Sequence, residues 1–218
     1  MSLHITSTTK SVRVRPKTKT ELQSIIKQEL KCQGPDADLN FIDTSLITDM
    51  NSLFWYLMVG NIKIDEWDTS KVENMSSMFS GCQNFNADLS SWDVSRVVGM
   101  GQMFSGCKKF NTDLSGWDVS NVTNMFAMFR DCNSFTADLS NWNVSNVKNM
   151  NNMFYDCHEF QSDLGKWDVS NVEHMCEMFE SCFKFCSDLS NWNVDKVTSK
   201  FNMFSNCRSM KYSNRPSF

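Results

Sequence analysis

The apolar residues of this chain recur on a fixed period. Trp67, Trp92, Trp117, Trp142, Trp167 and Trp192 are each 25 residues apart, and Phe79, Phe104, Phe129, Phe154, Phe179 and Phe204 keep the same interval. The columns starting at Met78 and Cys82 repeat in step with them, ending at Met203 and Cys207. A constant period between about 20 and 50 residues marks a solenoid, in which each unit can bury its apolar side only against its neighbours. A divergent unit leads the series, with Ile42 in the Trp position followed by Asp43, Thr44, Ser45, Ile47, Met50, Leu53 and Phe54. The periodic region therefore runs over 36–212 and holds about seven units.

Two spacings coexist inside a unit. Val97, Met100, Met103, Phe104 and Cys107 lie three or four apart, which predicts a short helix of about three turns with Ser95 as its N-cap. Upstream, Leu89, Trp92 and Val94 predict a brief strand with Trp92 and Val94 facing inward and Asp93 outward, and Phe110 closes the return leg. The expected fold is an α/β repeat solenoid with one short parallel strand and one short helix per 25-residue unit. Strands about 4.8 Å apart would make seven units about 34 Å long.

The two ends differ from the body. Residues 17–31 carry Leu22, Ile25, Ile26 and Leu30 at helical spacing, with Gly34-Pro35 as a stop, which predicts an N-terminal capping helix. At the other end Lys200 replaces the Met of its column and Met210 the Phe of its own, so the last unit is expected to be frayed or polar-capped. The expected division is 1–35, a basic N-terminal arm and capping helix; 36–212, the solenoid; and 213–218, a C-terminal tail.

Composition and charge narrow the function classes. Met, Cys, Phe and Trp number 15, 9, 17 and 7, against 8 Gly and 3 Pro, so a few large or soft residue types carry the apolar content, as a repeated motif requires. The net charge of −4 is unevenly spread: 1–33 holds seven basic and two acidic residues, 34–207 eleven basic and twenty-three acidic. An acidic body repels phosphate, which disfavours nucleic acid as a partner, although the basic arm leaves contact with an anionic partner open. The first sixteen residues lack the apolar run of a signal peptide, and no stretch reaches the ~20 apolar residues of a membrane span. The sequence thus predicts a soluble chain without membrane insertion, and unpaired cysteines favour a reducing, cytoplasmic compartment.

Several residue sets invite a chemical reading. Asp68, Asp93, Asp118, Asn143, Asp168 and Asn193 form one outward column. Carboxylates about 5 Å apart would repel by about 1 kcal/mol per pair in water. The column therefore needs donors: each side chain accepting from the amide two residues on, as an Asx-turn, or a cationic partner, with calcium a third option. Asp88, Asp113, Asp138, Asp163 and Asp188 form a second regular column, which points to turn formation. Because a partner is not periodic, recognition is expected at irregular positions: Glu66, Ser91, Gly116, Asn141, Lys166 and Asn191, or Lys71, Arg96, Asn121, Asn146, Asn171 and Lys196. The Cys column reads as small buried hydrophobes. Cys176, Cys182, Cys186 and His174 form a local cluster whose spacing matches no familiar zinc pattern. Cys157-His158 are adjacent, yet a nucleophile and its base must meet in space with an orienting third group. No Gly-rich phosphate loop is present, and neither a metal nor a cofactor is expected.

The string W-[DN]-V-S-N-V-x-N-M-x-x-M-F at Trp117 and Trp142, followed by a Cys and then F-x-x-D-L-S, resembles the BspA-like leucine-rich-repeat family of bacterial surface proteins and lipoproteins. The resemblance covers about four-fifths of the chain. It implies a leucine-rich-repeat-like solenoid, a cell-surface or secreted location, and adhesion to host or matrix proteins. The chain departs from that context in lacking an export signal and a lipidation cysteine near its N-terminus, and in placing Val97 where a leucine-rich repeat has Asn. The expected function is a non-enzymatic interaction module that binds a protein or glycan partner through its exposed face. A structural, self-associating repeat protein is the alternative, followed by a cryptic enzyme or zinc-binding protein. The residues expected to bind are Asp68, Asp93, Asp118, Asn143, Asp168, Asn193, Glu66, Asn141 and Lys166.

Overall fold

A computed structural model describes residues 13–218; the first twelve residues of the N-terminal arm, to which the sequence reading assigned basic character, lie outside them. Helix α1, Lys19–Gln33, stands where the terminal helix was predicted. Thr18 caps it by accepting from the Glu21 amide, and Glu21 reaches back to the Lys17 amide at 2.6 Å. Gly34, at φ 87°, ends it by donating its N–H to Leu30 O. Leu22 and Ile26 are fully buried against the first unit, and Lys19 pairs with Asp49 at 3.0 Å. The helix thereby seals the first apolar layer from water.

Beyond α1 the repeats contain no helix among the described residues, contrary to the expected strand-plus-helix unit. Each unit is instead a loop of successive tight turns closed by N–H to C=O bonds three residues apart. In one unit these run Met78→Met75, Ser80→Ser77, Cys82→Phe79, Phe85→Cys82, Trp92→Leu89 and Val97→Val94. The residues at turn corners point inward, which is why apolar positions recur at intervals of three. Ser95 is not a helix N-cap: its hydroxyl and amide both donate to Asp93 Oδ1. Leu89 to Val94, predicted as the strand, is part of this turn series; the parallel pairing lies elsewhere, at Asp49↔Asn74↔Gly99↔Asn124↔Asn149↔His174↔Ser199.

That ladder carries most of the contact between units. Met75, Ser77, Phe79 and Gly81 donate to Gly99, Gly101, Met103 and Ser105 O of the next unit at 2.7–2.9 Å. The same four bonds recur at all six interfaces from Met50 to Ser205, always with the donor in the earlier unit. Each peptide group along the ladder accepts from the unit before and donates to the unit after, so four chains of aligned peptides run the length of the stack. Such chains polarise one another and strengthen each bond. The geometry requires left-handed backbone at two positions per unit, for example Ser77 (φ 56°) with Gly81 (φ 79°), and Ala127 (φ 49°) with Asp131 (φ 59°). Left-handed conformation costs a non-glycine residue about 1–2 kcal/mol.

Spacing explains why turns replace helices. The Phe column repeats at 5.6–5.8 Å between rings from Phe79 to Phe204, and the Trp column at 6.3 and 6.5 Å at Trp67–Trp92 and Trp117–Trp142. Packed helices need axes about 8–10 Å apart. A helix in every unit would hold the ladder open; a loop of turns is thin enough to stack on all sides. Equivalent side chains therefore lie directly on one another in one continuous core, with Met, Phe, Cys, Leu, Trp and Val buried in the units that begin at Trp67 to Trp167. Each buried Phe or Met is worth about 1.5–3 kcal/mol.

The core's polar atoms are paired across units. Every Trp indole N–H from Trp67 to Trp192 donates at 3.0–3.1 Å to a carbonyl 28 residues earlier, Trp92 to Ile64 O for instance. That carbonyl already accepts the amide of its own unit's Trp, so both its lone pairs are used. The C-terminal unit is closed on its Leu–Trp side and open along its ladder edge. Met210 is buried, Tyr212–Asn214 form a single 3₁₀ turn, and Asn214 O accepts the Leu189 amide.

Candidate functional site

The outward column beside the Trp stack forms Asx-turns. Ser70, Ser95, Ser120, Ser145, Ser170 and Asp195 donate their amides to Asp68, Asp93, Asp118, Asn143, Asp168 and Asn193 at 3.0–3.2 Å. The Ser hydroxyl, then the Ser amide, holds Asp93, Asp118 and Asp168 below the usual carboxylate range. The column from Asp88 to Asp188 makes the same turn to Ser90, Ser115, Ser140, Gly165 and Ser190. All of these acids and amides are exposed. Their repeated donors account for their regularity.

The irregular neighbours divide. Asn121, Asn146 and Asn171 donate to Ser95, Ser120 and Ser145 O at 2.7–2.8 Å, tying unit to unit. Lys71 donates to Ser45 O at 3.1 Å, and Lys196 to Asn171 Oδ1 at 2.6 Å. Glu66 pairs with Arg13 at 2.8 Å, and Ser91 Oγ donates to Asp65 O. Asn141 and Lys166 are exposed on the same edge, where they border a shallow groove with Asp138 and Asp163.

The candidate reactive groups do not converge. Cys82, Cys107, Cys132, Cys157 and Cys182 each donate Sγ–H to a Phe carbonyl of the preceding unit at 2.9–3.1 Å. Burial pushes the Cys82 thiol up to about 12 and holds the next four well above the usual thiol range. Protonated, enclosed thiols are poor nucleophiles and poor ligands. Cys157 faces the core while His158 stacks outside on Phe183 at 4.5 Å, 3.6 Å from Asp156, so the two do not form a nucleophile–base pair. Among the described residues no three His, Cys, Asp or Glu side chains are grouped to hold a metal: Cys182 is buried, Cys176 contacts Ser199, and Cys186 is exposed.

Besides the flank positions from Glu66 to Asn191, a further surface varies from unit to unit: the outer side of the ladder, which the sequence reading had placed on a helix. One column there reads Trp55, Ser80, Ser105, Arg130, Tyr155, Glu180 and Ser205; the next reads Tyr56, Gly81, Gly106, Asp131, Asp156, Ser181 and Asn206. At the first unit Trp55 and Tyr56 meet edge to face at 5.1 Å and are 56% and 69% exposed. The Tyr56 ring lies on Gly81, where a Cβ would come within 2.7 Å of it. Small residues then leave an open floor as far as Arg130, whose guanidinium covers the Tyr155 ring at 4.4 Å. Past Arg130 the face turns acidic with Asp131, Asp156, Glu177 and Glu180. Burial, then Glu177 and Asp156, raise the Glu180 carboxyl above its usual range. The sequence reading sought irregularity beside the Trp column alone, because the helix assignment hid which side the M-x-x-M-F segment exposes.

No curated protein matches the chain. A solved structure titled "Crystal structure of TLR13-ssRNA13 complex" is similar at 11% identity and a TM-score of 0.32, over 89% of this chain and 37% of that one. The chain thus spans little more than a third of that protein's length. The family described as "Mycoplasma protein of unknown function, DUF285" matches residues 20–140 and 107–216. Those two matches take in α1 and every repeat unit, and the chain belongs to that family.

Proposed function

We propose that this protein is a non-enzymatic interaction module that binds a protein or glycan partner through the outer side of its ladder. The observation that carries this reading is the contrast in side-chain variety. The two flank Asx-turn columns repeat Asp or Asn, whereas the ladder column from Trp55 to Ser205 holds five residue types in seven units; the flank column from Glu66 to Asn191 varies as much but carries no aromatic, so the ladder side joins variety to exposed aromatic rings. A partner has no 25-residue period, so the face that reads it must vary along its length. Exposed aromatics at one end, a floor of Ser and Gly, and an Arg–Tyr pair followed by acids supply stacking, hydrogen-bonding and charged contacts on one surface. The resemblance to BspA-like surface proteins supports adhesion as the setting.

The test compares two variants for capture of ligands from a glycan array and from host and self lysates. One carries Arg130→Glu with Tyr155→Ala on the ladder; the other reverses charge at Asp93, Asp118 and Asp168 on the flank. The reading predicts that the ladder variant loses the wild-type ligand and the flank variant keeps it. Loss with the flank variant alone, or no captured ligand for the wild type, contradicts it.

A further inference from the structure

The four peptide chains of the ladder have a direction, and they end unsatisfied. At each interface the amides of the earlier unit donate forward, and in the last unit the equivalent amides are those of Lys200, Asn202, Phe204 and Asn206. Among the described residues none of these four has an acceptor. Aligned peptides leave positive partial charge at their N–H end, as they do at a helix N-terminus. A cap for such an edge should bring acceptors. The C-terminal tail brings a donor, the Arg215 guanidinium, over the Phe204 ring at 5.2 Å, and its Phe218 ring lies at 4.3 Å from Nζ of Lys200 on the ladder. Arg215 Nε is buried without a partner. Lys200, Asn202, Phe204 and Arg215 line one groove with Ser190, Ser205, Ser213 and Ser217, and no Asp or Glu is in its wall. Burial pushes the Cys207 thiol up to about 11, and the positive charge of Arg215 pulls it down.

We infer that the groove between the last ladder segment and the C-terminal tail binds an oxyanion, a carboxylate or phosphate group, held by the Asn202 and Phe204 amides and the Arg215 guanidinium. An anion there accepts from the amide row and from the guanidinium at once, two donor sets that line one groove and have no acceptor of their own among the described residues. Asp and Asn caps could satisfy the amides alone.

The test is an amide NMR titration of the full chain with inorganic phosphate and, separately, succinate, each against sodium chloride at equal ionic strength. Saturable shifts confined to the amides of 200–206 and to Arg215 Nε are expected with at least one of the two, and which one saturates identifies the anion class. Arg215→Met should weaken that binding about tenfold, as loss of a charge-assisted bond does, while Arg208→Met leaves it unchanged. Lys200→Met, which restores the residue used in the six earlier units, keeps the fold and should weaken binding less than Arg215→Met does. No saturable shift with either anion, or equal losses from Arg208→Met and Arg215→Met, overturns the inference.

Discussion

The ladder side and the Trp-side flank of each unit are built from the same tight turns, yet they hold their polar atoms in opposite ways. On the flank, side chains satisfy the backbone locally: Asp93 accepts from Ser95, and Asp88 from Ser90, within one unit. On the ladder the backbone satisfies itself between units, Gln102 donating to Phe126 O at 2.7 Å, and the four bonds need no side chain, although Asn51 Nδ2 also donates to Ser76 O. The flank's turn-forming positions must therefore repeat Asp or Asn to repeat its shape, while its other exposed positions and the ladder's outer side are free to vary. Regularity in a repeat protein marks what the turn chemistry requires, and freedom from it marks the surface available for recognition.

The strongest way to break this comparison is to remove one ladder donor. Gln102→Pro deletes the N–H and forces φ from 59° toward −65°, and it should cost about 3 kcal/mol or more in urea unfolding. Removing a flank acceptor is milder, because the turn remains solvated: Asp93→Ala should cost about 1 kcal/mol. The flank also has a pH signature. The folded values of Asp93, Asp118 and Asp168 lie below the ordinary 3.8, so their ionised forms add stability that is present above that value and lost as pH falls through the folded values. Acid titration of stability should show a loss below about pH 4 that Asp93→Ala reduces. The smallest effect has the opposite sign. Gln102→Gly should raise stability by about 0.5 kcal/mol, the relief of left-handed strain exceeding the entropy glycine adds to the unfolded chain.

How legible this was in the sequence depended on whether the deciding interaction lay within a segment or between units. Helix α1 could be read from Leu22, Ile25, Ile26 and Leu30 with Gly34 behind them, because capping and amphipathicity are local. The column stacking could be read from the 25-residue period alone. The helix assigned to Val97–Cys107 failed because an interval of three belongs equally to a series of tight turns. What selects turns is the 5–6 Å stack, a property of two units together. The left-handed positions were equally hidden, since Ser52, Gln102, Ala127 and Glu177 carry no glycine-like signal. The Asx-turn role of Asp93 and its equivalents was legible, whereas the interlocking of Asn121, Asn146 and Asn171 with the preceding unit was not.

Native-state hydrogen exchange tests the directional ladder most directly. The account predicts that the amides of Met100, Gln102, Phe104 and Gly106 exchange only on global unfolding, while those of Asn202 and Asn206, at the same positions of the last unit, exchange near the rate of a free peptide. Equal protection of the two sets, or protection of the Gly101 amide, which has no acceptor among the described residues, would contradict it.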